Sequence, residues 1–75
     1  MAYYLMKTIT DNNSDTVCTH NMFETYEECM RQYGSDISTN YGAENVIEFH
    51  ETLLNKNLAV LACIDYTKDN DNEDL

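Results

Sequence analysis

The segment Thr25-Tyr26-Glu27-Glu28-Cys29-Met30-Arg31-Gln32-Tyr33-Gly34 carries the clearest secondary-structure signal of the chain. Thr25 followed three residues later by Glu28 forms a capping box, because the hydroxyl and the carboxylate can each satisfy a backbone N–H of the first helical turn. Gly34 can adopt the left-handed conformation that ends a helix. An apolar stripe recurs at steps of three and four residues and consists of Tyr26, Cys29, Met30 and Tyr33. The sequence therefore predicts a helix over 25–33.

This helix needs a sheet to cover its apolar stripe, and the preceding residues supply two strands. Residues 2–10 are rich in aromatic and β-branched types and stop at the turn-forming cluster 11–14. Residues 15–22 alternate between apolar and polar types more weakly, and they can pair back on the first strand as a hairpin.

The part of the chain after the helix is predicted as a polar loop over 35–42 and then two more strands. Residues 43–54 fit both a helical and an alternating pattern. Residues 58–64 are apolar on both faces and too short for a comfortable helix, which predicts a central strand. The turn-forming residues 55–57 then connect two strands as a hairpin, and this favours a strand over 45–54.

The predicted fold is of the α+β class, with a small antiparallel sheet (ββαββ, or βαββ without the weaker strand) and one helix packed on a face. Residues 1–66 form one folded domain. Residues 67–75 lack apolar periodicity, and five of the nine are charged, so they are expected to be an acidic disordered tail.

Charge is the property that most restricts the function. Fourteen carboxylates oppose four basic side chains, giving a net charge of −10 on 75 residues. This exceeds the magnitude of about 2–8 that keeps a small domain soluble. The field of such a molecule repels phosphate, so direct nucleic-acid binding is disfavoured, and a basic protein surface is the expected partner.

Metal binding and catalysis are weakly indicated. A zinc site would draw on Cys18, His20, Cys29, His50 and Cys63, but close Cys-x-x-Cys and His-x₃₋₅-His pairs are missing from the sequence. Cys18 and His20 form the only local pair of nucleophile and base, and a 75-residue domain with two glycines offers little machinery for an oxyanion hole. No cofactor, metal or enzymatic activity is therefore expected. The odd number of cysteines predicts reduced thiols, and free cysteines are usually buried.

The expected contacts are carboxylates on the helix start, after the helix and on the next strand, together with two aromatic anchors. These residues are Glu24, Glu27, Glu28, Asp36, Glu44, Glu48, Glu51, Tyr33 and Tyr41. On a strand, side chains on one face repeat about every 7 Å, so rows of carboxylates can imitate the phosphates of a nucleic acid. The alternative interpretation is that these acids are only a solvated face.

In size, acidity and asparagine content, the chain resembles the small acidic proteins that bacteriophages and mobile elements encode against host enzymes, including anti-restriction and anti-CRISPR proteins. The resemblance is compositional and implies a stoichiometric inhibitor that occupies a basic groove on a host nuclease or polymerase. A cytoplasmic protein without membrane contact is expected, located in the host cell if phage-encoded. The alternative is a homo-oligomeric accessory domain whose acidity is only solubilising, with a homodimer formed through an exposed sheet edge or face.

Overall fold

The computed structural model describes residues 2–68. Its four strands form a single antiparallel sheet in the order β2-β1-β3-β4, and the one helix packs on one face of that sheet. The predicted α+β class and the ββαββ arrangement are confirmed. In chain order the elements are β1 (Tyr3–Asp11), β2 (Thr16–Phe23), α1 (Tyr26–Asn40), β3 (Val46–Leu54) and β4 (Val60–Thr67).

Helix α1 begins where the sequence predicts, but its predicted end is wrong. The Thr25 hydroxyl accepts a hydrogen bond from the backbone N–H of Glu28 at 3.1 Å. Gly34 lies inside the helix, which continues to Asn40 and so replaces most of the predicted loop. The left-handed residue is Gly42, with φ of +75°, and it directly follows the C-cap residue Tyr41.

The physical reason for this longer helix is a buried stripe that changes from apolar to polar residues. The buried positions of α1 are Cys29, Tyr33, Asp36 and Asn40. After Tyr33 only Ile37 continues the apolar stripe, and it is partly buried against the core. Because the fully buried positions beyond Tyr33 are polar, the apolar pattern is too weak there to reveal the helix, although the helical burial period continues.

The hairpin of β1 and β2 and the strand β3 agree with the sequence-based predictions. In β3, Phe49, Glu51 and Leu53 are buried, whereas Glu48 is exposed on the opposite face. The core lies between α1 and the two central strands, and its buried cluster consists of Leu5, Cys29, Tyr33 and Leu53.

Strand β4 lies at an edge of the sheet, so the prediction of a central strand is wrong. It pairs with β3 on one side, and no described strand pairs with its other side. The sheet order differs because β1, the first strand, pairs with β3 and thereby takes the central position beside it.

The end of β4 extends slightly beyond the predicted domain boundary. Thr67 is its last residue, and the backbone N–H of Lys68 donates to the carbonyl of Ile47 at 2.8 Å. Both residues were assigned to the predicted tail, and the remainder of that tail, 69–75, lies outside the described residues. Within 2–68, no helix is long and apolar enough to cross a membrane.

Candidate functional site

The structure separates the predicted contact residues into three groups. Glu24, Glu27 and Glu28 lie at the start of α1, beside the end of the sheet where Tyr3 pairs with Phe23. Glu44 and Glu48 lie at the opposite end, where Asp11 of β1 pairs with Val46 of β3. The third group, Asp36 and Glu51, is inside the protein. The acids therefore do not form one continuous row.

The third group corrects the prediction that Asp36 and Glu51 are surface contacts. Asp36 is 6% exposed and Glu51 is 1% exposed. Glu51 shares the helix-facing side of β3 with Phe49 and Leu53, so strand alternation placed its carboxyl group under α1. Asp36 points to the same interface from α1, where its Oδ1 lies 3.3 Å from Nζ of Lys7 and accepts from Nε2 of Gln32 at 2.9 Å.

The buried carboxyl groups of Asp36 and Glu51 need one proton between them. Were both groups ionised, Oδ2 of Asp36 and both carboxyl oxygens of Glu51 would be buried without a hydrogen-bond partner. Burial first, and then the hydrogen bond to Asp36 and its charge, raise the pKa of Glu51 to about 8. Burial alone would raise the pKa of Asp36, but the hydrogen bonds from Glu51 and Gln32 and the charge of Lys7 outweigh it and lower that pKa. Glu51 is therefore the protonated member of the pair at neutral pH, and its O–H is the donor that can satisfy the buried Oδ2 of ionised Asp36.

The first group forms an exposed surface around a shallow hollow, which we call the helix-start surface. The hollow has a volume of about 390 Å³ and is lined by Met22, Phe23, Glu24, Glu28, Arg31 and Gln32. Glu27, exposed in the first turn of α1, completes this surface. Among the described residues, no cation lies within 4.0 Å of the carboxylates of Glu24, Glu27 or Glu28, so these acids remain available to a partner.

Exposed apolar side chains accompany these carboxylates and were missed by the sequence analysis. Met22 is exposed at the end of β2, and Tyr26 is exposed although it belongs to the predicted apolar stripe. Tyr26 packs edge-on against Tyr3, with ring centroids 5.6 Å apart. Tyr26 lies on the same side of α1 as Tyr33, but it is the first residue of the helix and sits over the end of the sheet at Tyr3, where less of the protein covers it.

The two predicted aromatic anchors differ in accessibility. Tyr33 is buried in the core, so its prediction as an anchor is wrong; the reason is that it occupies the sheet-facing side of α1. Tyr41 is exposed and lies against Tyr66, with ring centroids 4.8 Å apart. Tyr41 immediately follows α1, near Glu44 in sequence and away from the helix-start surface.

The face of the sheet opposite α1 carries the residues considered for catalysis. Cys18 and His20 share this face, but Sγ of Cys18 contacts Oγ1 of Thr8 at 3.6 Å. Nδ1 of His50 lies 2.7 Å from Oδ1 of Asp65. Within residues 2–68, no group of three or more His, Cys, Asp or Glu side chains is arranged to hold a metal ion.

The cysteines are free, and the expectation that they are buried is correct only for Cys29. Burial first, and the carboxyl of Glu51 second, raise the pKa of Cys29 and keep it a thiol. Cys18 and Cys63 are exposed because each lies on an edge strand and points to the uncovered face of the sheet. No protein-family model, curated protein or solved structure matches this chain.

Proposed function

We propose that this protein is a non-enzymatic acidic binding protein that occupies a basic groove on a host nucleic-acid-processing enzyme, such as a nuclease or polymerase, and inhibits it. The observation that carries the proposal is the helix-start surface. Three carboxylates, Glu24, Glu27 and Glu28, stand there beside a hollow and an exposed Met22, and within residues 2–68 none of them is paired with a cation. Charge gives the attraction, and the apolar side chain gives contact area that excludes water.

The helix-start surface suits a basic partner better than the opposite acidic end. In the latter, Oδ1 of Asp11 already accepts the N–H groups of Asn13 and Asp15 at 2.8 and 3.0 Å, and Glu48 lies 3.9 Å from His50. The net charge of −10 then adds long-range steering toward a positively charged groove. The protein acts by occupying a site that normally holds phosphates, which is nucleic-acid mimicry.

The test is capture of a partner from a bacterial lysate by the immobilised full chain, followed by mass spectrometry and an activity assay of the captured enzyme. We expect a basic nuclease, polymerase or other nucleic-acid enzyme that is inhibited stoichiometrically. Its capture should fall steeply between 0.1 and 1 M salt, because the Debye length shortens from about 10 to about 3 Å. Binding that does not weaken with salt contradicts the proposal.

A matched pair of variants locates the contact. Replacing Glu24, Glu27 and Glu28 by Gln should weaken capture at least about tenfold, because desolvated charged contacts are lost. The control removes three carboxylates at the opposite end, through Asp15→Asn, Glu44→Gln and Glu48→Gln. Equal loss in both variants would show that net charge alone, and not the helix-start surface, is recognised.

A homo-oligomeric accessory domain is the second candidate function, and the exposed apolar edge of β4 favours it. In that case the acids only keep the assembly soluble. Such a protein captures no basic enzyme, and neutralising the helix-start surface leaves its biological activity unchanged.

A further inference from the structure

Strand β4 combines an edge position with the composition of a central strand. Residues 58–64 read Leu-Ala-Val-Leu-Ala-Cys-Ile, which is apolar on both faces. Leu58, Val60 and Leu61 are all exposed, at 67%, 59% and 47%. An exposed apolar edge presents unpaired backbone donors and acceptors next to side chains that gain by burial, and is a template for another strand.

The usual protections of a sheet edge are sparse along β4. The strand contains no Lys, Arg or Pro, and Asp65, its only charged residue, is bonded to His50. Leu61 has no partner on β3, because Leu53 pairs with Ala62 and Leu54 with Val60; this bulge affects only the start of the strand. The pairing of β4 with β3 is therefore regular over residues 62–67, and among the described residues no strand occupies the outer side of β4.

The helix also leaves β4 uncovered. Among the described residues, the backbone of α1 lies close to β1, β2 and β3 but not to β4, whose Ala62 and Ile64 only reach the edge of the core. A strand added next to β4 would meet no obstruction from α1, and it would bury more of Val60, Ala62 and Ile64 than the single chain does.

The charge distribution is compatible with pairing between two copies of β4. Residues 57–64 carry no charged side chain, although the chain as a whole has a net charge of −10. The acids of the helix-start surface lie on α1 and the β2–α1 connection, away from β4. The other edge strand, β2, is also free of Asp, Glu, Lys and Arg, but it is rich in Thr, His and Asn, whereas β4 is mostly apolar and gains more by burial. Antiparallel pairing of β4 with its own copy joins two apolar edges with little charge, and it continues the antiparallel order of the sheet.

We propose that two copies of this protein pair antiparallel through β4 and form one continuous sheet of eight strands, four from each copy. The twofold axis passes at Cys63. This register sets Val60 against Tyr66 of the second copy and Asp65 beside its Leu61, whereas an axis at Asp65 would place two like charges directly opposite each other. Both helices then lie on the same face of the joined sheet, because the axis is perpendicular to it.

In this register, the exposed Cys63 lies at the interface and the exposed Cys18 lies far from it, so the two cysteines provide a cross-linking site and its control. The Cβ atoms of the two Cys63 residues would lie about 4.5–5.5 Å apart. Cys18 lies on β2, at the far edge of each sheet, and Cys29 is buried. A short bis-maleimide should therefore join two chains through Cys63, with Cys63→Ser abolishing the product and Cys18→Ser leaving it unchanged. Cross-linking through Cys18 instead would overturn the proposed interface.

The oligomeric state is measured by size-exclusion chromatography with light scattering on the full chain. A mass of twice the monomer's 8.7 kDa is expected. Its fraction should rise with salt, since screening weakens repulsion between two copies with a net charge of −10 each. Salt should raise the dimer fraction but lower the capture of a basic enzyme. The two measurements therefore test the pairing and the proposed function independently. A monomer at all salt and protein concentrations overturns the pairing.

Substitutions at Leu61 test the register. Leu61→Asp brings a second carboxylate beside Asp65 of the other copy and should raise the dimer Kd about tenfold or more. Leu61→Lys supplies a cation to the same carboxylate and should retain the dimer. Val17→Asp, at an exposed apolar position of the other edge strand, is the matched control and should also retain it. A dimer unaffected by Leu61→Asp, or a β4 edge that instead pairs only with a strand of another protein, contradicts self-pairing.

Discussion

At the scale of single residues, the most consequential feature is the protonated carboxyl group of Glu51 beneath α1. Lys7 of β1 faces it directly in the sheet register, and Asp36 faces it from α1 together with Cys29 and Tyr33. With Glu51 neutral, Asp36 negative and Lys7 positive, this buried group carries no net charge. A protein with a net charge of −10 therefore keeps its interior electrically balanced.

The first prediction at this scale concerns pH. The pKa of Glu51 is about 8 in the folded protein against 4.5 in the unfolded chain, so between these values the folded state binds the additional proton. The free energy of unfolding should therefore decrease as pH rises from 4.5 to 8, by at most about 1.4 kcal/mol per pH unit. The lowered pKa of Asp36 acts in the opposite sense and costs stability as pH falls below 3.8.

Urea unfolding at several pH values measures this dependence, and Glu51→Gln is the informative variant. An amide donates to Asp36 as the protonated acid does, so the variant should match the wild type near pH 5 and exceed its stability near pH 8. Glu48→Gln, exposed on the same strand, should keep the wild-type slope. A wild-type stability that does not change between pH 5 and 8 would show that Glu51 is ionised throughout.

At the scale of elements, α1 shows how a buried stripe can be concealed in a sequence. The first turn was predictable because the capping box is a local signal that needs only Thr25 and its neighbours. The end of α1 was not predictable, because Asp36 and Asn40 are buried polar residues and the partners of Asp36 lie partly outside the local sequence. The side-chain amide of Asn40 donates to the carbonyl of Asp36 at 2.8 Å, which satisfies this buried amide within the helix itself.

Two glycine substitutions test the position of this helix end. Gly34→Ala should stabilise the protein by about 0.5–1 kcal/mol, because Gly34 lies inside the helix and the added methyl group meets no atom within 4 Å. Gly42→Ala should destabilise it by about 1 kcal/mol, because the φ of +75° strains an L-residue. Thermal unfolding of both variants gives the comparison. The reverse order of stability would place the helix end at Gly34.

The choice of a strand over a helix for β3 was correct. It depended on the residues that follow, because a turn and then an apolar run indicate a hairpin. The alternation of β3 also indicates the burial of Glu51. Side chains of alternate strand residues point to the same face, so Glu51 shares the helix-covered face with Phe49 and Leu53. Glu48 and His50 occupy the alternate positions of β3 and fall on the uncovered face, where Oε1 of Glu48 lies 3.9 Å from Nε2 of His50.

At the scale of the whole molecule, surplus negative charge opposes the compact state. Screening this repulsion should raise the melting temperature between 0.05 and 0.5 M NaCl, by roughly 4–8 °C for each 1 kcal/mol gained in a domain of this size. The buried contact of Lys7 with Asp36 is screened far less and offsets little of the gain. Measuring the Leu61→Asp variant separates this effect from salt-dependent pairing. A melting temperature that falls with salt would show that attractive ion pairs dominate the surface.

The sequence alone determined what local physics can encode: the start of α1, the hairpin of β1 and β2, the alternation of β3 and the size of the net charge. The tertiary structure decided the rest, namely the burial of Asp36 and Glu51, the length of α1, the core position of Tyr33 and the edge position of β4. The physical reason is that the cost of burying a polar group, and the partner of a strand, depend on residues distant in the chain. The charge of Lys7 stabilises the ionised carboxylate of the buried Asp36. The pairing of β1 with β3 places β4 at the edge of the sheet.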